Sequence, residues 1–162
     1  MVSVNQICGG PDASRLAGVS HAATKRRVAE GILMPIIGRK GRGSRHFFSF
    51  QQVLAMRVHH ECIVAGIDPT IARQVFQAVE SLPNLEELVE SGRHFLAGDG
   101  EHLVERPMTF AEARDWYLAR QEAKSEAEPT GPVSLEFRVN FGLTWRCLKP
   151  LLVDRAAAQQ RE

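Results

Sequence analysis

Two groups of side chains in this sequence carry chemistry that reaches outward. The first is basic. Lys25, Arg26 and Arg27 stand together, and Arg39, Lys40, Arg42 and Arg45 follow in a glycine-rich stretch. A guanidinium presents a fork of donors that fits phosphate oxygens or the paired acceptors of a guanine edge, and an ammonium is a compact positive charge. Ser20, His21 and Thr24 precede the first basic run, and Ser44 and His46 flank Arg45. Hydroxyls and a helix N-terminus suit phosphate contacts. The second group is His59-His60-Glu61-Cys62. His59 and Cys62 could share a helical face toward a metal, but two ligands do not make a site, and Cys147 or a later histidine would have to complete it. Cys62 also falls on an apolar stripe, where a free thiol acts as a small hydrophobe. No metal site and no cofactor is expected.

Charge separates the chain into unlike halves. Between Asp12 and Arg57 there are nine basic and two acidic residues, a balance of +7, and the remainder holds 11 basic against 17 acidic, or −6. That asymmetry points to a polyanion-binding module joined to a part with another task. Arg15 and Arg57 are expected to be solvated or paired on the protein, and Arg45 could instead tie its loop to the helices. Catalysis is not expected. No nucleophile–base pattern or phosphate loop stands out, Glu86-Glu87 reads as a solvated helix face, and His94 and His102 read as surface residues. The three cysteines are scattered, the first residues lack a basic-then-apolar leader, and no long apolar run could span a membrane. The expected setting is cytoplasmic and nucleoid-associated.

These side chains need elements to position them. Residues 1–11 read as a flexible lead with Gly9-Gly10-Pro11 as a breaker. A short helix is predicted over 13–17, stopped by Gly18, and Ser20 can cap a second helix through about Glu30. Two short helices joined by a glycine-containing turn make a helix-turn-helix pattern. On a helical wheel Ala22, Ala29 and Leu33 form the predicted core side, Ser20, Ala23, Thr24 and Arg27 point away, and Lys25 and Arg26 lie at the apolar margin. A β-hairpin is predicted over 34–48, its tip carrying the second basic run. Ser49 and Gln52 form a capping box that opens a helix to about Ala65 with Phe50, Leu54, Val58 and Cys62 inward. Asp68-Pro69 starts the next helix, to about Glu80, and Pro83 a short acidic one. The second half predicts a hairpin over 95–104, a helix from the Thr109/Glu112 capping box to about Lys124, a polar linker over 124–132 and a strand over 133–141. The end, 155–162, is expected to fray.

In order, Gly18-Val19-Ser20, a short helix, Gly31-Ile32-Leu33-x-Pro35, a basic hairpin and Arg45-x-Phe47-Phe48-Ser49 opening a helix resemble the MerR-like winged helix-turn-helix family. The resemblance covers about residues 13–80. It implies a winged helix-turn-helix DNA-binding unit over 12–66. With the elements predicted after it, the expected fold is α+β, with connecting helices over 67–92 and a strand-and-helix segment over 93–154 expected to serve dimerisation or partner binding. The resemblance further implies a transcriptional regulator binding double-stranded DNA. The helix over 20–27 would lie in the major groove, with Arg27 on guanine and Thr24 on a base edge or thymine methyl. The basic wing over 39–46 would clamp the backbone or minor groove. Arg26 and Arg27 stand where the family has paired aromatics, and the family's long C-terminal dimerisation helix is absent. Repression by occupancy is therefore simpler than activation by distortion.

Trp116, Tyr117, Trp145 and the alternating strand either pack within the monomer or build an interface, and a homodimer matching a palindromic site is favoured. Two other functions fit the charge division. One is an antitoxin-like protein whose acidic half neutralises a protein partner. The other is an excisionase-like factor that bends DNA. The wing expectation is directly testable by replacing Arg39, Lys40 and Arg42 together with alanine. Binding to every sequence should weaken, and the slope of log K against log salt should flatten by about 0.9 for each phosphate no longer neutralised. An unchanged slope would take the tip off the nucleic acid.

Overall fold

The computed structural model describes residues 7–38, 45–98, 103–126 and 137–159. The fold is α+β. Among the described residues it has seven helices and two antiparallel three-stranded sheets.

The first sheet frames the basic segment. Strand β1 (Ile7–Gly9) precedes helices α1 (Gly10–Leu16) and α2 (His21–Ala29), and strands β2 (Ile37–Gly38) and β3 (His46–Ser49) follow. β3 is central, pairing Cys8 with Phe48 on one side and Ile37 with Phe47 on the other. The lead expected over 1–11 is thus corrected where it is described: Ile7–Gly9 satisfies an edge of β3, and Cys8 is buried. Pro11 does not break the chain but starts α1, because proline's fixed φ and missing N–H suit the first helical turn. Gly18 ends the turn after α1 at φ +70°, and a Cβ there would strike the Arg57 guanidinium. The left-handed φ is what favours glycine there, since the Arg57 guanidinium is the end of a flexible side chain and can move aside. Ser20 caps α2 by accepting from the Ala23 amide at 3.1 Å.

Three helices build the floor. The predicted capping box opens α3 (Phe50–Val64): Ser49 Oγ accepts from Gln52 N, and Gln52 Oε1 accepts from Ser49 N, both at 3.1 Å. Phe50, Leu54, Val58 and Cys62 are all buried, as their spacing predicts. Asp68 caps α4 (Pro69–Glu80), whose Ile71, Val75 and Val79 face inward, and α5 (Leu85–Glu90) follows. Gln51 and Gln52 join these parts. Gln51 Nε2 shares its two hydrogens among the carbonyls of Val79, Glu80 and Leu82 at and just past the end of α4. Gln52 Nε2 donates to Met34 O at 2.6 Å, ahead of β2, and to Glu80 Oε1 at 2.8 Å.

The second sheet has the order β5-β4-β6, from β4 (Phe95–Gly98), β5 (Leu103–Met108) and β6 (Phe137–Asn140). The hairpin of β4 and β5 matches expectation, although its Asp99-Gly100 turn lies outside the described residues. Helix α6 (Phe110–Glu126) starts at the predicted Thr109/Glu112 capping box. Only the last part of the strand expected over 133–141 lies among the described residues, and it ends one residue early. Phe141 opens α7 (Phe141–Gln159), a helix that the sequence pattern does not announce. Asn140 Oδ1 accepts from Leu143 N at 2.9 Å and turns strand into helix. Gly142 and Pro150, poor interior helix residues, mask α7 in the sequence. The helix forms because Phe141, Trp145 and Leu148 drop into the main core, against α3 and β4. Trp145 is 2% exposed, so it packs within the monomer and is withdrawn from any partner surface. A smaller cluster joins Ala97, Met108 and Ala113 beneath the half-buried Trp116. No helix among the described residues is long and apolar enough to cross a membrane.

Gln52→Ala would delete both donors and the acceptor of this junction, leaving Met34 O and Ser49 N without their bonds. Urea unfolding should show a loss of about 1–3 kcal/mol. A loss under a few tenths would mean water replaces the side chain freely.

Candidate functional site

Helix α2 and the start of β3 carry the candidate residues that the structure describes, while Arg39, Lys40, Arg42 and Ser44 lie outside the described residues. The orientation of α2 differs from the helical-wheel expectation. His21, Ala22, Lys25, Arg26 and Ala29 are exposed, whereas Thr24 is buried and Arg27 and Val28 are half-buried. Ala22 and Ala29, expected in the core, are outside, and Lys25 and Arg26 sit squarely on the open face.

The reason for the rotation lies in α1. Ser14, buried at 2% exposure, donates to its own helix's Gly10 carbonyl at 2.7 Å and shares a hydroxyl–hydroxyl hydrogen bond with Thr24 Oγ1 at 2.8 Å. A polar pair satisfied across a helix–helix contact costs little to bury, so Thr24 faces inward despite its hydroxyl. Its side chain is committed to α1, which corrects its expected place on a base edge. One turn later, Arg27 Nη2 lies 3.0 Å from Nδ1 of His59 on α3. Burial, then the neighbouring Arg26, lowers the Arg27 pKa from its ordinary value, and Arg27 Nη1 is buried without a hydrogen-bond partner. A guanidinium held this way braces α2 against α3. Arg27, expected to point away from the core, is instead turned toward α3.

His59 is the member of this arrangement that sequence reasoning missed. Its ring stands edge-on to Phe76 of α4 at 6.2 Å between centroids. Desolvation, with Arg27 and His60 close by, lowers its pKa to about 4. The ring is therefore neutral at pH 7, with Nδ1 accepting from the guanidinium. The available signal was its place on α3, three residues from the core-facing Met56 and Cys62, which turns a polar ring toward the helix stack. Cys62 is buried in the core, and burial pushes its thiol up to about 11. Among the described residues no three His, Cys, Asp or Glu side chains gather closely enough to hold a metal.

The other cations divide by partner. Arg15 pairs with Asp12 at 3.3 Å and Arg57 with Glu61 at 2.7 Å, consistent with their expected pairing on the protein. Glu61 also accepts from Thr144 Oγ1 at 3.0 Å, which fastens α7 beside the Gly18 turn. Arg26 reaches Glu30 only at 3.9 Å and is 74% exposed, a weak surface pair. Lys25 and Arg45 are exposed and have no ion pair among the described residues; Arg45 does not tie its loop to the helices there. His46 is half-buried on β3, next to Arg45. The surface that remains available is His21, Lys25, Arg26 and Arg45, beside the exposed apolar Ile36 and Ile37 of the hairpin. Chemically it offers cationic donors to an anion.

Because the folded-state pKa of His59 is depressed from 6.5, unfolding takes up a proton between those two values. Stability from this group is full above about pH 6.5 and is lost as pH falls toward 4. Thermal unfolding of His59→Gln across that range should show a shallower acid-side decline than the parent, and identical declines would mean the imidazole is not desolvated. No protein-family model matches this sequence, and no curated protein matches it.

Proposed function

We propose that this protein is a sequence-specific double-stranded-DNA-binding regulator with a MerR-like winged helix-turn-helix formed by α1, α2 and the β2–β3 hairpin. The single observation that carries this is the open face of α2. His21, Lys25 and Arg26 are all exposed on that helix, and Arg45, at the base of the basic tip, lines the same cavity as His21 and Lys25. An α-helix fits the major groove, where base edges are distinguishable, and flanking cations fix register on the phosphates. Lys25 and Arg26 take the base-reading role on this face, and Arg27 holds the helix that carries them. The tip residues Arg39, Lys40, Arg42 and Ser44 extend the contact to the backbone or minor groove. The chain acts as a homodimer, so that two such helices meet half-sites about 34–36 Å apart, and it represses by occupying its site.

A partner-binding second half has one observation in its favour. Phe110 and Leu118 on α6 are 56% and 50% exposed, and Arg138 stacks over both Phe110 and Tyr117 at 5.7 Å. Exposed aromatic and arginine groups of this kind are common at protein interfaces. Co-purification of a small basic protein, lost on Phe110→Asp, would favour the antitoxin-like alternative.

The decisive measurement is fluorescence anisotropy with the DNA upstream of the protein's own coding region, against a scrambled duplex, at about 150 mM salt. Preference by a factor of about 10³ is expected for a specific regulator. Lys25→Ala and Arg26→Ala should each cost about 1–3 kcal/mol on the specific duplex without lowering thermal stability. Arg27→Ala should instead lower stability and weaken both duplexes together. Equal affinity for both duplexes in the parent protein would remove sequence-specific regulation.

A further inference from the structure

A cavity of about 380 Å³ opens between the first turn of α1, the edge of α2 and strand β3. Its size is within the range of small-molecule sites. One wall is apolar, from Pro11, Val28 and Phe47, and Lys25 and Arg45 stand at its rim. Asp12 is the carboxylate in the lining, and it is paired with Arg15 at 3.3 Å. Neither Lys25 nor Arg45 has an ion pair among the described residues, so both cations can serve a ligand that lies against the apolar lining. Ser14 and Thr24 are hydrogen-bonded to each other.

We propose that this cavity binds a small organic anion with a flat apolar body, an aromatic carboxylate or phosphate monoester. Lys25 and Arg45 hold its charge, and Pro11, Val28 and Phe47 cover its ring. An isolated charge on such a ligand gains from two cations in a partly desolvated site, and the ring gains from leaving water. Lys25 and Arg45 also belong to the surface assigned to DNA. Occupancy of the cavity and DNA binding therefore exclude one another, and reciprocally so. That second statement rests on the DNA-binding proposal; the existence of the site does not.

The test starts without DNA. The full ¹⁵N-labelled chain is titrated with benzoate and with phenyl phosphate, using benzyl alcohol and inorganic phosphate as controls. Saturable shifts at the Gly9, Gly10 and Lys25 amides are expected at millimolar probe or below. They should weaken at least about tenfold in Lys25→Ala/Arg45→Ala, whose exposed side chains leave the unfolding midpoint unmoved. Absence of saturation overturns the site, as do equal shifts from either control, which would show simple ring or bare-anion attraction. The duplex is then added. A loss of DNA affinity in proportion to probe occupancy supports exclusion, and unchanged DNA affinity at saturating probe overturns it. Saturable probe binding in a protein that binds no duplex keeps the cavity assignment while removing the DNA role.

Discussion

Much of this structure hangs on two adjacent glutamines at the start of α3. Gln52 satisfies its carbonyl in the capping box and spends both amide hydrogens, on Met34 O and Glu80 Oε1. Gln51 covers three carbonyls at the C-terminal end of α4. Backbone groups at helix ends must find partners when water is excluded. Here a single two-residue step supplies them for the start of one helix, the end of another and the segment leading into the hairpin. The first sheet is placed relative to α3 and α4 by that step, and so is the basic surface built on it.

A second set of polar contacts sets the rotation of α2. Ser14 draws Thr24 inward, and His59 accepts from Arg27 a turn later. Once those two positions are held, the remaining positions of a regular helix have no freedom: Lys25 and Arg26 must face out. Glu61 works similarly at the opposite end, receiving Arg57 from one side and Thr144 from α7 on the other. The outward presentation of charge on α2 is thus a consequence of inward polar pairing.

Much of the local architecture was legible. Capping boxes at Ser49/Gln52 and Thr109/Glu112, the Asp68-Pro69 start and the apolar stripe of α3 each depend on residues within a few positions of one another, and each is where its spacing predicts. The basic character of residues 12–57 was equally plain. Three things were not. The face of α2 is misleading in the sequence because its apolar content is low: Ala22 and Ala29 give a weak stripe, and a buried Thr24 contradicts simple amphipathic logic. Strand β1 escapes notice because three residues show no periodicity, and their pairing partner lies about forty positions away. Helix α7 escapes notice because Gly142 and Pro150 weaken its propensity, while Phe141, Trp145 and Leu148 stabilise it only in the core it shares with α3 and β4.

The sequence by itself therefore determined where helices and turns begin, because caps, prolines and glycines act on the backbone beside them. It also determined that the first third of the chain is strongly cationic, since charge is a property of residues and not of their arrangement. Only the tertiary structure decided which cations are presented and which are consumed. Arg27, Arg15 and Arg57 are engaged by His59, Asp12 and Glu61, while Lys25 and Arg45 are left open. The physical reason is that a side chain's availability depends on what the fold brings within hydrogen-bonding distance. The partner that decides the fate of Arg27 is 32 residues away, on another helix.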